Sequence, residues 1–393
     1  MPEWACAPCS GGRMNPRDLV TVRGTLAGRM TQALAPDDII RRHGDVAEGA
    51  RAPLLVIDPL AELLAANRLG DGNASEIGVV PIGDGHSNIT LAVSSGGREV
   101  ILRRPPRGPL PPTAHDVLRE ARLLRALEPT PVRAPEVLLA CEDPSVIGAP
   151  FYLMERVHGD VITDAIPDKL DGPGERARIA NELIDALVEL HAVDWMDVGL
   201  EGFGRPTGYL ERQLRRFAGL WEHNRTRDLP AVERVGAWLS ANLPKSPAAT
   251  IVHGDYRLGN TIFASRAPAR LAAILDWEMA TIGDPLADLG YLMMFWAEAE
   301  DPPVGRFDLQ SVTRLPGFPT RAELIARYEE RSGRSMRSLT WYVTLALWKS
   351  VVFMEGNYKR AIAGTTDDPY LLSVGEGVVQ LAERALEVSQ RGA

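Results

Sequence analysis

Three features of the 393-residue chain predict an α+β fold in two lobes, a small β-rich one followed by a larger, mainly helical one with a short β insert. Residues 77–103 form three strand-like runs separated by glycine-containing turns, the pattern of an antiparallel meander. Beyond Gly159, apolar residues recur at helical spacing over most of the chain. Inside that helical half, residues 251–253, 261–263 and 271–275 read as short strands.

The elements follow in order. Residues 1–53 are rich in Gly, Ala, Pro and Arg without sustained periodicity and read as an extension, poorly ordered in part, with one short helix at most. Asp58 reads as a helix N-cap with Pro59 at the first helical position. Leu60, Leu63 and Leu64 give the helical spacing, and Gly70 a stop. Strands are expected at 77–82, 88–93 and 99–103, and the proline-rich stretch 105–112 ends the meander. Residues 115–127 form an amphipathic helix, with Val117, Leu118, Ala121, Leu124 and Leu127 on one side. Strands at 137–140 and 151–155 complete the first lobe. Helices are expected at 175–193, 284–300, 321–331, 339–363 and 371–389. The divisions are therefore 1–53, an extension; 54–156, the β-rich lobe; and 157–393, the mainly helical lobe.

Composition narrows the class. Hydrophobic residues make up 45% and charged residues 24%, which sustains a sizeable core. No run approaches the roughly 18–20 apolar residues needed to span a bilayer. The first residues show no apolar signal segment, so a cytoplasmic protein without a membrane partner is expected. A net charge of −9 argues against binding nucleic acid by phosphate neutralisation. Cys6, Cys9 and Cys141 are an odd, low count that fits a reducing compartment. Cys6 and Cys9 lack the second ligand pair that a tetrahedral zinc site needs. Only four of the 43 basic residues are lysines (Lys169, Lys245, Lys349 and Lys359), so arginine is this chain's usual cation.

The densest chemical signal is His253-Gly254-Asp255-Tyr256-Arg257-Leu258-Gly259-Asn260, followed by Asp276-Trp277-Glu278. Phosphoryl transfer needs a carboxylate to receive or orient the nucleophilic hydroxyl, and oxygen ligands for the Mg²⁺ that screens the phosphates. Asp255 and Asn260 are separated as in the protein-kinase catalytic loop H-R-D-x-x-x-x-N. Asp276 ends an apolar strand, and a strand-turn-strand between residues 261 and 275 would return it next to Asn260. An isolated Asp and His pair in a turn is commonly structural. Three such residues at these spacings point to catalysis.

The run IVHGDYRLGNTIF…LAAILDWEMATIGDPLADLGYL resembles the aminoglycoside-phosphotransferase family of the protein-kinase-like superfamily, and within it the subgroup related to kinase-like modules fused to acyl-CoA dehydrogenases. IGDGHSNITLAV, VILRRPP, HDVLREARLL and APFYLMERVHG extend the resemblance to about residues 60–390. It implies a two-lobed protein-kinase-like fold and an ATP- and Mg²⁺-dependent small-molecule kinase. Asp255 would be the catalytic residue, and Asn260 and Asp276 the Mg²⁺ ligands. Asp284 and Asp288 match a segment that anchors the catalytic loop by hydrogen bonds.

The resemblance also places the nucleotide site. Gly83, Gly85, Ser87 and Asn88 lie in the turn between two strands, where glycines let backbone N–H groups approach phosphates. Arg103 stands where protein kinases carry the strand lysine, with Arg104 as a rival, and Glu120 on the following helix is its expected ion-pair partner. An arginine is bulkier and forked, so the exchange is not neutral. Residues 151–157 read as the strand into the hinge, with Met154 as gatekeeper and the backbone of Glu155 and Val157 toward adenine. His191 reads as a core residue and His253 as a loop-orienting one.

The acceptor is less defined. Asp284, Asp288, Glu298, Glu300 and Asp301 could greet a cationic aminoglycoside, or could be a solvated helix end with two structural aspartates. Tyr291, Met293, Met294, Phe295, Trp296, Trp341, Trp348, Phe353 and Tyr358 would suit a partly apolar hydroxylated acceptor, such as a hydroxyacyl metabolite, and equally a helical core. An active small-molecule kinase and a nucleotide-binding pseudokinase or regulator are both open; the Asp255, Asn260 and Asp276 set favours the first and Arg103 the second.

Overall fold

The computed structural model describes residues 34–46, 49, 51–83, 88–108, 115–302, 311–365 and 369–391. All of these fall within one unit, Thr31–Ala393. Cys6, Cys9, Gly85 and Ser87 lie outside the described residues.

The chain enters through β1 (Ile39–Ile40), which pairs in parallel with β2 (Leu55–Val56), followed by α1 (Ile57–Ala66). The meander is β3 (Gly78–Ile82), β4 (Ile89–Ser95) and β5 (Arg98–Arg104). Helix α2 (Val117–Leu127) follows, then β6 (Val137–Cys141) and β7 (Phe151–Glu155). These strands form one antiparallel sheet in the order β3-β4-β5-β7-β6. Successive side chains along a strand point to opposite faces. Val100 and Leu102 of β5 therefore pack with Leu60 and Leu64 of α1, Leu91, Val93 and Phe151. Ile101 faces the other way, in a core shared by Ala92, Met154, Val117 and Ala121 that continues into the helical lobe. Arg103 and Arg104, neighbours in sequence, leave the strand on those two different faces.

The helical lobe begins after the short strand β8 (Asp160–Val161) with α3 (Pro173–His191), α4 (Tyr209–Asn224) and α5 (Pro230–Ala241). A β insert follows: β9 (Thr250–Val252), β10 (Thr261–Phe263), β11 (Leu271–Ile274) and β12 (Thr281–Gly283). β9 pairs with β12, and β10 lies between β8 and β11. Then come α6 (Leu286–Phe295), α7 (Arg321–Ser332), α8 (Leu339–Ile362), α9 (Pro369–Ser373) and α10 (Gly375–Arg391). Helix α8 is the axis of the lobe, with α4, α5, α6 and α10 packed on it. Gly290 lets α6 approach closely, since a Cβ there would sit 2.6 Å from the Tyr342 backbone carbon. Among the described residues no helix is long and apolar enough to cross a membrane.

Several boundaries differ from expectation. Asp58 is not the cap of α1 but its second residue; its carboxylate is held by Arg41 and Arg42, contacts invisible to a local pattern. Helix α2 starts at Val117, not His115, with Asp116 as its cap accepting the N–H of Arg119 at 3.0 Å. Helix α6 ends at Phe295, five residues early. There the Trp296 indole donates to the Pro319 carbonyl, and the Ala297 N–H to Thr313 Oγ1. Tertiary partners replace the helical ones beyond that point.

Candidate active site

The loop between β9 and β10 is held from below by α6. Asp288 is 1% exposed and accepts the backbone N–H groups of His253 at 2.7 Å and Gly254 at 2.8 Å. Its carboxylate also meets His191 Nε2 at 3.2 Å, while His191 Nδ1 meets the Tyr328 hydroxyl at 2.7 Å. Burial drives the His191 pKa down, which keeps this core imidazole neutral. Gly254 has φ 88°, and a Cβ there would lie 2.8 Å from the Met279 carbonyl oxygen. The turn therefore requires glycine. Asp284 accepts the Leu286 N–H and the Tyr342 hydroxyl. Asp288 thus has the loop-anchoring contacts expected of it, whereas Asp284 joins the start of α6 to α8.

His253 lies against Trp277, ring centroids 4.7 Å apart, and its Nε2 meets the Leu275 carbonyl at 2.9 Å. The Asp255 N–H donates to His253 Nδ1 at 3.2 Å. The histidine therefore orients the loop rather than facing a substrate. Asn260 Nδ2 donates to the Asp255 carbonyl and to its Oδ2, at 2.9 and 2.7 Å. This fixes the amide with its oxygen pointing away from Asp255. Leu275 N–H donates to the Asn260 carbonyl at 2.8 Å, which brings Asp276 beside Asn260. The other carboxylate oxygen, Asp255 Oδ1, is buried without a hydrogen-bond partner. Arg257 Nε stands 3.5 Å from it. The Tyr291 hydroxyl lies beside the same carboxylate; burial, then the Asp255 charge, push its pKa well above the ordinary range.

A second cluster joins the lobes. Arg103 donates from Nε to Glu120 Oε2 at 2.9 Å and from Nη2 to Asp276 Oδ1 at 2.6 Å. Glu278 Oε2 lies 3.7 Å from the same Nη2. Burial pushes the Glu120 carboxyl up to about 7; Arg103 opposes this, and Asp276 and Glu278 add to it. Burial works against the Arg103 charge, but Glu120 and Asp276 outweigh it and raise its pKa, so the charge is permanent. Three carboxylates around one guanidinium leave an excess of negative charge. Arg104 takes no part: its guanidinium donates to the carbonyls of Leu54, Pro53 and Ile147 under α1. Arg103 and Arg104 thus occupy opposite faces of β5.

Asp276 itself is left-handed, at φ 65° and ψ 63°. A non-glycine residue held there costs roughly 1–3 kcal/mol. Asn88, at the start of β4, donates from Nδ2 to Glu278 Oε2 at 3.2 Å, and its Oδ1 meets His115 Nδ1 at 3.2 Å. The start of β4 is thereby tied to the Asp276 segment. At the hinge, Met154 is buried, whereas the Glu155 N–H already donates to the Glu136 carbonyl at 2.9 Å. That donor is committed within the protein.

Among the described residues no three His, Cys, Asp or Glu side chains converge to hold a metal unaided. Mg²⁺ usually takes one or two carboxylates and completes its shell with phosphate oxygens and water. The Asn260 amide oxygen, the Asp276 side chain at 37% exposure and the surplus negative charge fit that habit. Glu278, Arg257 and Tyr291 belong to the site although no spacing rule selects them. Glu278 had a signal, its place in the Asp276-Trp277-Glu278 run; Tyr291 stood only among the aromatic residues that suit an acceptor, and its place beside Asp255 came from the packing of α6.

A small antiparallel lobe facing a helical one, with an Asp-x₄-Asn loop opposite a strand-end aspartate, defines a protein-kinase-like phosphotransferase architecture. Residues 78–335 match the model of the phosphotransferase enzyme family, and the chain belongs to that family. Acyl-CoA dehydrogenase family member 11 of Gallus gallus is 35% identical over 326 residues, 81% of this chain and 41% of that protein. The chain spans less than half the length of such curated relatives. A solved protein from Ralstonia eutropha JMP134, provisionally described as an aminoglycoside phosphotransferase, is 30% identical, with a TM-score of 0.73 over 85% of this chain and 98% of its own. A thermostable mutant aminoglycoside phosphotransferase in ternary complex with AMP-PNP and hygromycin B shares the fold, at TM-score 0.54 and 17% identity over 85% of this chain and 98% of its own. The family and fold expected from the sequence are borne out.

Proposed function

We propose that this chain moves the γ-phosphoryl group of ATP to a hydroxyl of a small molecule. The observation that carries the reading is Asp255: Oδ2 is pinned by Asn260, and Oδ1 is buried without a hydrogen-bond partner. That oxygen has only the Arg257 Nε at 3.5 Å and the Tyr291 hydroxyl beside it, and a ligand hydroxyl would complete its hydrogen bonding. In the step proposed, the acceptor oxygen forms the new bond to the γ-phosphorus and the bond to the ADP oxygen breaks. The hydroxyl proton passes to Asp255 Oδ1 and later to solvent. Bound Mg²⁺, held by Asn260 and Asp276, would neutralise phosphate charge.

Other roles follow from position. Arg103, kept charged and oriented by Glu120, would meet phosphate oxygens. Gly83 and Asn88, with Gly85 and Ser87 in the same turn, would cover the phosphates. Met154, the Glu155 carbonyl and Val157 would border the adenine. On this reading residues 54–156 bind nucleotide and 157–393 bind acceptor, while 1–53 stand before them. The AMP-PNP and hygromycin B bound to the fold relative support nucleotide and small-molecule acceptor sites of this kind.

Thermal-shift titration tests the first half. Mg·ATP should raise the melting temperature increasingly above its dissociation constant, and more than ATP with a chelator. No stabilisation at millimolar Mg·ATP would sink the kinase reading. An ADP-release screen of hydroxylated compounds tests the second half, with Asp255→Asn as the control that must abolish the signal.

A further inference from the structure

Arg119 precedes Glu120 on α2, yet the chemistry described so far gives it no part. Arg103 bridges Glu120, on that helix, to Asp276, in the helical lobe. Glu120 also faces the charges of Asp276 and Glu278, which oppose its own. One arginine between mutually repelling carboxylates keeps its geometry only when the elements that carry them are fixed by other means.

Arg119 fixes one of them. Its Nη1 donates to the Ala280 carbonyl at 2.9 Å and its Nη2 to the Phe203 carbonyl at 2.8 Å. Its guanidinium carbon lies 3.7 Å from the centre of the buried Phe203 ring, close enough for the cation and the ring face to attract. The two accepting segments are themselves pressed together: a Cβ on Gly204 would lie 2.5 Å from the Ile282 backbone nitrogen of β12. Ala280 closes the turn that starts at Asp276, its N–H donating to the Trp277 carbonyl at 3.0 Å. The next residue, Thr281, pairs with Val252, which leads into His253. The backbone that receives Arg119 is therefore continuous with Asp276 on one side and with the strand before the Asp255 loop on the other. Both acceptors are carbonyls, so the attachment brings no further anion to the cluster. Arg122, one turn of α2 away, donates to the carbonyls of Gly199 and Glu201 at 3.1 and 3.0 Å. Those belong to the loop before Phe203 and not to the Asp276 segment.

We propose that Arg119 is a positioning residue for nucleotide: by fastening α2 to the backbone that follows Asp276, it holds the Glu120–Arg103–Asp276 bridge in its bound arrangement before ATP arrives. This rests on the phosphotransfer reading above and adds to it how the nucleotide side is kept assembled. Helix α2 is then a fixed wall of the site, and no swing of that helix switches the site on.

The test uses the full chain, with calorimetric binding of Mg·AMP-PNP and hydrogen exchange of the α2 amides read together. In the parent, α2 should exchange slowly and to the same extent with and without Mg·AMP-PNP. Arg119→Met should weaken Mg·AMP-PNP about tenfold, the equivalent of one charged hydrogen bond, and speed α2 exchange in the free protein. Arg119→Lys, which keeps the charge and can reach one carbonyl, should recover part of both, and carries the same comparison if the methionine variant does not fold. Arg122→Met should lose stability to urea with nucleotide affinity unmoved. If Arg119 acts through Glu120, the loss should shrink to less than about twofold when Arg119→Met is added to Glu120→Gln. The proposal is overturned by an Arg119→Met affinity equal to the parent's, by a full additional loss on Glu120→Gln, by an equal loss in Arg122→Met, or by a parent α2 that becomes protected only when Mg·AMP-PNP is added. Nucleotide binding in the parent with any of these outcomes leaves the kinase reading standing and removes this inference. A parent that binds no Mg·AMP-PNP removes the nucleotide role with the kinase reading, while faster α2 exchange in Arg119→Met would still show the fastening itself.

Discussion

Asp255 and Asp276 each follow a short strand of the β insert, yet they are held in different ways. Around Asp255 the supports are directional hydrogen bonds: two backbone N–H groups on Asp288, an amide on Oδ2 and an imidazole under the loop. Around Asp276 they are charges: one arginine shared among three carboxylates, on a backbone bent into the left-handed region. A hydrogen-bonded loop keeps its shape whatever ions are present. A cluster with surplus negative charge is stabilised by an added cation and responds to it. The first suits a proton acceptor that must stay in register, the second a place where a metal and phosphates arrive and leave.

The largest effect should come from Asp255→Asn. Turnover should fall by roughly 10²–10⁴, the usual contribution of a positioned general base, with Mg·ATP affinity nearly unchanged. Asp276→Asn should instead weaken Mg·ATP binding, because it removes an anionic oxygen from a cation that requires oxygen ligands. Calorimetry with and without Mg²⁺ separates the two, and the opposite pattern would mean that the contrast drawn above is inverted.

Next in size is Asp288→Ala. It strands the His253 and Gly254 N–H groups in the interior, at about 1–3 kcal/mol for each orphaned donor. Urea denaturation should show a loss of that order together with lost turnover. A stability within experimental error of the parent would show that the loop is not anchored from α6.

The adjacent arginines give a smaller, paired effect. Arg103→Lys keeps the charge but loses the fork that bridges Glu120 and Asp276, so the ATP KM should rise about tenfold, the equivalent of one charged hydrogen bond. Arg104→Met should lower stability and leave the ATP KM alone. Equal ATP kinetics in the two variants would mean that β5 does not sort them by face.

The smallest effect is in pH dependence. The Glu120 carboxyl is raised from 4.5 in the unfolded chain to about 7 in the folded one. Its contribution to stability is therefore fully present below pH 4.5 and is lost as pH rises through 7. Glu120→Gln should flatten the stability profile between those values. An identical profile in the variant would show that Arg103 holds Glu120 ionised throughout.

What the sequence determined by itself was local. The Asp255-to-Asn260 spacing, the strand-end Asp276 and the three-run meander are features of a few consecutive residues, and their chemistry or hydrogen-bonding period is written in that span. The family followed from the same motifs. Arg103 as partner of Glu120 was legible too, because strand alternation and helical position fix both directions. What only the tertiary structure decided depends on packing between distant elements. The cap of α1 is Val56, and Arg41 and Arg42 claim Asp58 instead. The end of α6 was set by Pro319 and Thr313, not by any breaker of its own. Arg104 was excluded from the site by the carbonyls of Leu54 and Ile147. Glu278, Tyr291 and Arg119 carry no spacing signal, since a lone side chain on a helix or turn acquires a role only from what the fold sets opposite it. Charge among such residues is a property of their arrangement in space, which no linear pattern records.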